Sequence, residues 1–197
     1  TQTNPRSGAR RQTLYSIVAE EQFDRVLRYV VDEAEFLSPH GLRSLSAAHR
    51  ADPFVLQLAG MEYRVDYDPG ESTSGLFGGN SNWRGPVWFP VNFLVIEALR
   101  TFGEFLGPDH TVECPRGSGQ MLNVVAVADL IADRLVGLFR DDADGRRPCF
   151  GANQRLQTDP AWHDSLLFYE YFHGDTGAGL GASHQTGWTG LVADLII

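Results

Sequence analysis

The chain has 197 residues, of which 43% are hydrophobic, and its 25 acidic and 16 basic side chains give a net charge of −9. A chain of this length can bury one sizeable core, so we expect a single compact domain or a large part of one. The acidic balance argues against a nucleic-acid partner. Apolar runs are interrupted well before they reach membrane-spanning length, which predicts no transmembrane helix.

Helical periodicity dominates the chain after a polar end or linker at residues 1–13. We predict an amphipathic helix over 14–36, a short helix over 53–58, a buried helix over 87–106, a helix over 121–139 and a final helix over 187–197. A long irregular stretch over 60–85 is rich in Gly, Asp, Ser, Asn and aromatic residues. Structureless loops of this length tend to be functional. Residues 164–172 fit either a strand or a helix.

The loops between these helices alternate between short ones and long polar-aromatic ones. This order predicts an all-α fold in which the long loops share one face of an array of helical hairpins. Such an array is an α/α toroid, with its site on one rim. The final apolar pattern has no stop signal and the chain begins at Thr1, so we expect residues 14–197 to be truncated at both ends.

The first segment of functional interest is Gly-Gly-Asn-Ser-Asn-Trp-Arg-Gly-Pro-Val-Trp-Phe-Pro at 78–90. Turns require Gly, Pro or Asn to set the backbone, but they do not require two tryptophans and an arginine. Indole faces and hydrogen-bond donors of this kind receive sugar rings. The alternative is a well-packed corner whose indoles lie in the core.

The second segment is centred on Glu170, which lies between two tyrosines and before glycines at 174, 177, 179 and 181. A carboxylate beside aromatic rings and a closely packed loop is well placed to extract a proton from water. The alternative is a solvated surface glutamate.

Neither a metal nor a cofactor is predicted. The histidines at 163, 173 and 184 match no zinc spacing, and Cys114 and Cys149 are not paired as zinc ligands. The acidic segment 66–71 fits either a calcium loop or a solvated turn. No signal peptide is recognised, and a cytoplasmic location is expected.

Taken together, the two segments resemble the C-terminal part of glycoside hydrolase family 63. The matching residues are Asn80–Trp88, the Tyr-Glu-Tyr at 169–171 and the Gly-Trp-Thr at 187–189, and residues 36–46 resemble a loop of the bacterial branch. That family includes processing α-glucosidases and mannosylglycerate hydrolase-like proteins. The second segment also resembles family 37 trehalases.

The resemblance implies the C-terminal portion of an (α/α)6 barrel and an inverting hydrolase acting on α-linked glucose- or mannose-like glycosides. It makes Glu170 the general base. We assign nine residues to substrate binding: Asn82, Trp83, Arg84, Gly85, Trp88, Tyr169, His173, Gln185 and Trp188.

An inverting enzyme also needs a general acid at roughly 6.5–9.5 Å from the base. No segment of residues 1–35 matches the family's acid, and Asp66 and Glu71 stand in the wrong context for it. We therefore expect an incomplete and inactive portion of a larger enzyme, whose partners are a glycoside and the missing N-terminal part of the same barrel. The alternatives are a carbohydrate-binding toroid without catalysis and a helical domain that binds a protein partner.

Overall fold

The computed structural model describes the backbone of residues 2–4, 12–75 and 82–196, and the side chains in these ranges from residue 13 onward. The α-helices in these ranges are α1 (Glu20–Val30), α2 (Phe89–Leu106), α3 (Val124–Gly137), α4 (Gln154–Thr158) and α5 (Thr186–Thr189). Short 3-10 helices lie at Ala47–Arg50, Pro148–Phe150 and Gly190–Leu195.

Strands form small two-stranded antiparallel sheets along the described part of the chain. The pairs are β1 (Gln2–Asn4) with β2 (Gln12–Leu14), β3 (Leu37–Ser38) with β4 (Gly41–Leu42), β5 (Phe54–Leu58) with β6 (Met61–Val65), β7 (Thr111–Glu113) with β8 (Met121–Asn123), and β9 (Tyr171–Phe172) with β10 (Gly179–Leu180). The prediction of an all-α portion of an (α/α)6 barrel is therefore wrong, because the described residues form a mixed fold of helices and small sheets.

The segment 53–58, predicted to be a short helix, instead contains one of the strands that overturn the all-α prediction. Phe54–Leu58 is β5, and the turn to β6 has positive φ at both of its central residues, 51° at Ala59 and 77° at Gly60. Two left-handed residues in succession match the twist of a two-residue hairpin. Pro53 favoured a helix start in the sequence, but the hairpin pairing of Phe54–Leu58 with Met61–Val65 decides the structure.

The other predicted helices are present in the structure, with different bounds. The helix expected over 14–36 is reduced to α1, because Leu37 already pairs with Leu42 in the hairpin of β3 and β4. The last expected helix, over 187–197, becomes α5 followed by a 3-10 helix that ends at Leu195. The two central apolar segments do form long helices, α2 and α3.

The core lies between α2 and α3. Ile96 of α2 and Ile131 of α3 are fully buried in it. The two helices approach closely at Gly103, where an added Cβ would lie 2.7 Å from a methyl carbon of Val125. The start of α2 is fixed by Asn92, whose Oδ1 accepts from Leu42 N at 2.6 Å. This packing holds the segment before α2, which carries the first sequence motif, in a defined position.

Candidate active site

The two sequence motifs lie side by side because their backbones pair. Val87 N donates to the carbonyl of Phe172 at 2.8 Å, and Phe172 N donates to the carbonyl of Val87 at 2.9 Å. This bridge joins the end of the first motif to β9, directly after Glu170. The first motif is described from Asn82 onward, and residues 78–81 lie outside the described residues.

Aromatic rings from both motifs form one cluster. The ring of Trp88 is stacked 4.2 Å from Trp83 and 4.8 Å from Tyr171, and Trp188 meets it edge to face at 6.2 Å. Trp88 and Tyr171 are buried, whereas 44% of Trp83 and 38% of Trp188 is exposed. The inner rings thus form a packed corner, and the outer indoles offer the kind of surface on which sugar rings lie.

Glu170 is half-buried and is held by the segment that follows β10. Its backbone N–H donates to the carbonyl of Ala182 at 2.8 Å, and its Oε2 accepts from the Ala182 N–H at 3.2 Å. The segment 164–172, which the sequence left open, ends in strand β9. The carboxylate therefore lies directly before β9, next to the Tyr171 ring of the aromatic cluster, and not at the end of a helix.

Two glycines of the second motif allow close approach between the site's segments. Gly181 has a φ of +68°, and a Cβ there would lie 2.7 Å from Oε2 of Glu170 and 2.7 Å from Cε1 of Tyr171. A Cβ on Gly174 would lie 2.3 Å from the carbonyl oxygen of Gly85. Any larger residue at either position would displace a part of the site.

Glu71, which the sequence offered only as a mismatched candidate for the general acid, makes contacts beside Glu170 that the sequence did not predict. Its Oε2 accepts from the hydroxyl of Tyr171 at 2.7 Å, and its Oε1 accepts from the Gly181 N–H at 3.4 Å. Burial and then the bond to Glu71 raise the pKa of Tyr171 to about 12, against an opposing hydrogen bond with Asn82. The hydroxyl is therefore a neutral donor near pH 7. The one sequence signal for Glu71 is its position in a long loop rich in glycine.

Arg84 and Gly85 shape the loop that carries Glu71. The guanidinium of Arg84 is buried and forms an ion pair with Asp68, with Nη2 at 3.0 Å from Oδ2. Gly85 has a φ of +149°, and a Cβ there would lie 2.7 Å from Cε2 of Tyr67. Both residues were predicted to bind substrate. Their contact with a sugar stays a prediction.

Asn82 is buried beside the aromatic cluster. Its carbonyl accepts from Nε1 of Trp88 at 3.1 Å, and its side chain hydrogen-bonds to Tyr171. Its Oδ1 has no hydrogen-bond partner within the described part of the chain. A buried acceptor of this kind suits a donor such as a sugar hydroxyl, because buried polar atoms are rarely left unpaired.

The other predicted substrate-binding residues lie around this centre at different depths. Tyr169 packs edge to face on Phe172 in the core, with ring centroids 6.3 Å apart. His173 is half-buried, and its Nδ1 accepts from the N–H of Asp175 at 3.2 Å. Gln185 is exposed, and its carbonyl accepts from the Trp188 N–H at 3.0 Å. Trp188 joins the aromatic cluster directly, whereas Tyr169 contributes through packing.

Asp175 anchors the loop after β9. Its carboxylate accepts from the hydroxyl of Tyr67 at 2.8 Å and pairs with Arg43 at 3.4 Å and with Arg50. Burial opposes the charge, but the bond from Tyr67 and the charges of Arg50 and Arg43 outweigh it and lower the pKa of Asp175. The loop that begins at His173 is thus fixed by a charged network.

The described residues contain no group of three or more His, Cys, Asp or Glu side chains arranged to hold a metal ion. In the acidic segment 66–71, two carboxylates form ion pairs with arginines: Asp66 pairs with Arg64 and Asp68 pairs with Arg84. Among the helices that the structure describes, none is long and apolar enough to cross a membrane.

The structure thus brings a half-buried carboxylate and partly exposed indoles together on neighbouring segments. In the comparison with family models, residues 13–189 match the mannosylglycerate hydrolase MGH1-like glycoside hydrolase domain. The chain belongs to this family of glycoside hydrolase domains.

Similar proteins come from two yeasts. The chain is 50% identical, over 97% of its length, to an uncharacterized protein of Saccharomyces cerevisiae. It is 23% identical over 87% of its length to a probable mannosyl-oligosaccharide glucosidase of Schizosaccharomyces pombe, and 24% identical over 89% to the mannosyl-oligosaccharide glucosidase of Saccharomyces cerevisiae. The chain spans 18%, 15% and 15% of these relatives, respectively.

Proposed function

We propose that this chain carries the general base and part of the sugar-binding surface of an inverting glycoside hydrolase that acts on α-linked glucose- or mannose-like glycosides. The observation that carries the proposal is the carboxylate of Glu170, held by the Ala182 amide at the edge of the aromatic cluster. Family membership supplies the reaction class, and the names of the two glucosidase relatives point to a glucoside.

In this proposal Glu170 takes a proton from a water molecule whose oxygen attacks the anomeric carbon. The glycosidic bond breaks as a general acid gives a proton to the leaving oxygen. An inverting reaction needs room for that water, so the two carboxyl groups stand roughly 6.5–9.5 Å apart. Because the chain spans less than a fifth of each relative, we place the acid in a part of the full polypeptide that this chain does not include.

The exposed faces of Trp83 and Trp188 are proposed to receive the sugar ring. Each keeps more than a third of its surface exposed, although each contacts the buried ring of Trp88. A rigid, partly exposed indole offers apolar contact to the C–H face of a sugar at a small entropic cost. Asn82 supplies an unpaired acceptor at the inner end of this surface.

The test is the change of Glu170 to Gln in the natural polypeptide that contains this chain. The amide has the same shape but cannot extract a proton, so we expect kcat to fall by about 10²- to 10⁴-fold while the affinity for a substrate analogue is retained. Glu104→Gln is a matched control, because Glu104 is exposed near the far end of α2. Near-normal turnover in Glu170→Gln would refute the assignment.

The second candidate is a carbohydrate-binding protein without catalysis. The exposed indoles favour it as much as they favour an enzyme, because sugar stacking does not require a general base. In that case Glu170→Gln would weaken sugar binding instead of sparing it, and the unchanged protein would release no sugar. The same pair of measurements therefore separates the two candidates.

A further inference from the structure

Glu71 lies on a loop that is fixed on both sides of it. Asp68 accepts from the Thr73 N–H at 3.0 Å and from the Thr73 hydroxyl at 2.7 Å, and its carboxylate also pairs with buried Arg84. The carbonyl of Pro69 accepts from the Gly174 N–H at 2.8 Å. Although the side chain of Glu71 is exposed, its backbone is therefore held in place.

The carboxylate of Glu71 adds a side-chain link between two parts of the site, next to the backbone pairing of β9 with β10. One oxygen accepts from the hydroxyl of Tyr171, whose ring is 1% exposed and stacked on Trp88. The other oxygen accepts from the Gly181 N–H. Glu71 thus bonds both to the aromatic cluster and to the loop after β10, in addition to the backbone bond from Glu170 N–H to the Ala182 carbonyl.

Glu170 is held by the next amide along the same loop. Gly181 donates to Glu71 and Ala182 donates to Glu170, so consecutive N–H groups bind the two carboxylates. A movement of Gly181 necessarily moves the Ala182 N–H. It also changes the close approach at Gly181, where a Cβ would lie 2.7 Å from Oε2 of Glu170.

We propose that Glu71 is a positioning residue for the reaction: by holding Tyr171 and the Gly181–Ala182 turn, it sets the orientation of the Glu170 carboxylate. Both oxygens of Glu71 accept hydrogen bonds, which suits an anchor and not a proton donor. Hydrogen bonds to a charged acceptor of this kind are stronger than neutral ones. This inference rests on the proposed role of Glu170.

The experiment compares Glu71→Gln, Tyr171→Phe and the double variant in the natural polypeptide, with the best substrate found among α-glucosides and α-mannosides. The side-chain amide in Glu71→Gln keeps one acceptor oxygen and replaces the other with a donor, so the two charge-assisted hydrogen bonds are replaced at best by weaker neutral ones. We expect kcat to fall by about 10- to 100-fold, because small misplacements of reacting groups have effects of that size. KM should stay nearly unchanged, because the sugar-binding indoles are not altered.

The double variant tests whether the two residues act as a unit. Since either single change disturbs the same hydroxyl–carboxylate bond, the double variant should lose little more activity than the worse single variant. Glu104→Gln again serves as the control for loss of one carboxylate. A lower melting temperature with unchanged kcat would show a merely structural role and overturn the proposal.

Failure of the inference about Glu71 can be distinguished from failure of the proposed function. If Glu170→Gln abolishes turnover and Glu71→Gln leaves kcat unchanged, the base assignment holds and the inference about Glu71 is wrong. If Glu170→Gln itself turns over normally, the proposed function fails, whatever Glu71→Gln does.

Discussion

The change of Gly181 to Ala probes the close contact between this glycine and the Glu170 carboxylate. Gly181 has a φ of +68°, where an L-residue is strained, and its added Cβ would lie 2.7 Å from both Oε2 of Glu170 and Cε1 of Tyr171. The left-handed backbone alone costs about 1–2 kcal/mol. Overpacking adds about 1–3 kcal/mol, and relief of the contact would displace the Glu170 carboxylate.

The matched control is Gly145→Ala. Gly145 has nearly the same φ, +71°, but an added Cβ would meet nothing within 4 Å. The control should therefore lose only the backbone contribution of about 1–2 kcal/mol and keep full activity. Gly181→Ala should be the less stable of the two, and its kcat should fall by at least about tenfold.

The assay is urea unfolding followed by tryptophan fluorescence, combined with steady-state kinetics of the same preparations. Equal stability of the two variants would show that the contact at Gly181 is not tight. Full activity of Gly181→Ala, at whatever stability, would refute the claim that this glycine governs the position of Glu170.

Two further predictions concern the ion pairs of Asp68 and Asp175. Arg84→Met leaves Asp68 without its buried ion-pair partner and should lower the free energy of unfolding, measured by urea titration, by about 3–5 kcal/mol. The control Arg100→Met removes a partner from an exposed pair and should lower it by less than about 1 kcal/mol. Equal losses in the two variants would contradict this prediction. The lowered pKa of Asp175 means that its contribution is present above the unfolded-state pKa of about 3.9 and is lost as pH falls through the lower folded pKa. Asp175→Asn should therefore flatten the acid side of the stability–pH curve, and an unchanged acid slope would contradict the network.

Local patterns in the sequence predicted the long central helices. The apolar run that became α2 carries its own signal, because helical periodicity is a property of neighbouring residues. The short strands lack such a signal. Phe54–Leu58 pairs with a partner only across a two-residue turn, and its composition suits a helix start as well as a strand. The mixed fold was missed for that reason.

The site was predictable where chemistry and sequence neighbourhood coincide. Trp83 and Trp88 were selected as unusual residues in a turn and Trp188 from the family resemblance, and the three rings do meet in one cluster. The ion pair of Arg84 with Asp68 was not predicted, because it joins residues 16 positions apart, and the contact of Arg84 with a sugar stays a prediction. The contact of Glu71 with Tyr171 was missed because it joins residues 100 positions apart.

The most direct test of the account is proton NMR of the sugar that the natural polypeptide releases from α-glucosides and α-mannosides. If Glu170 activates water opposite the leaving group, the first product to appear is the β-anomer, which then equilibrates with the α-anomer. Initial release of the α-anomer would contradict the inverting mechanism, since it requires a retained configuration and a second carboxyl group acting as nucleophile.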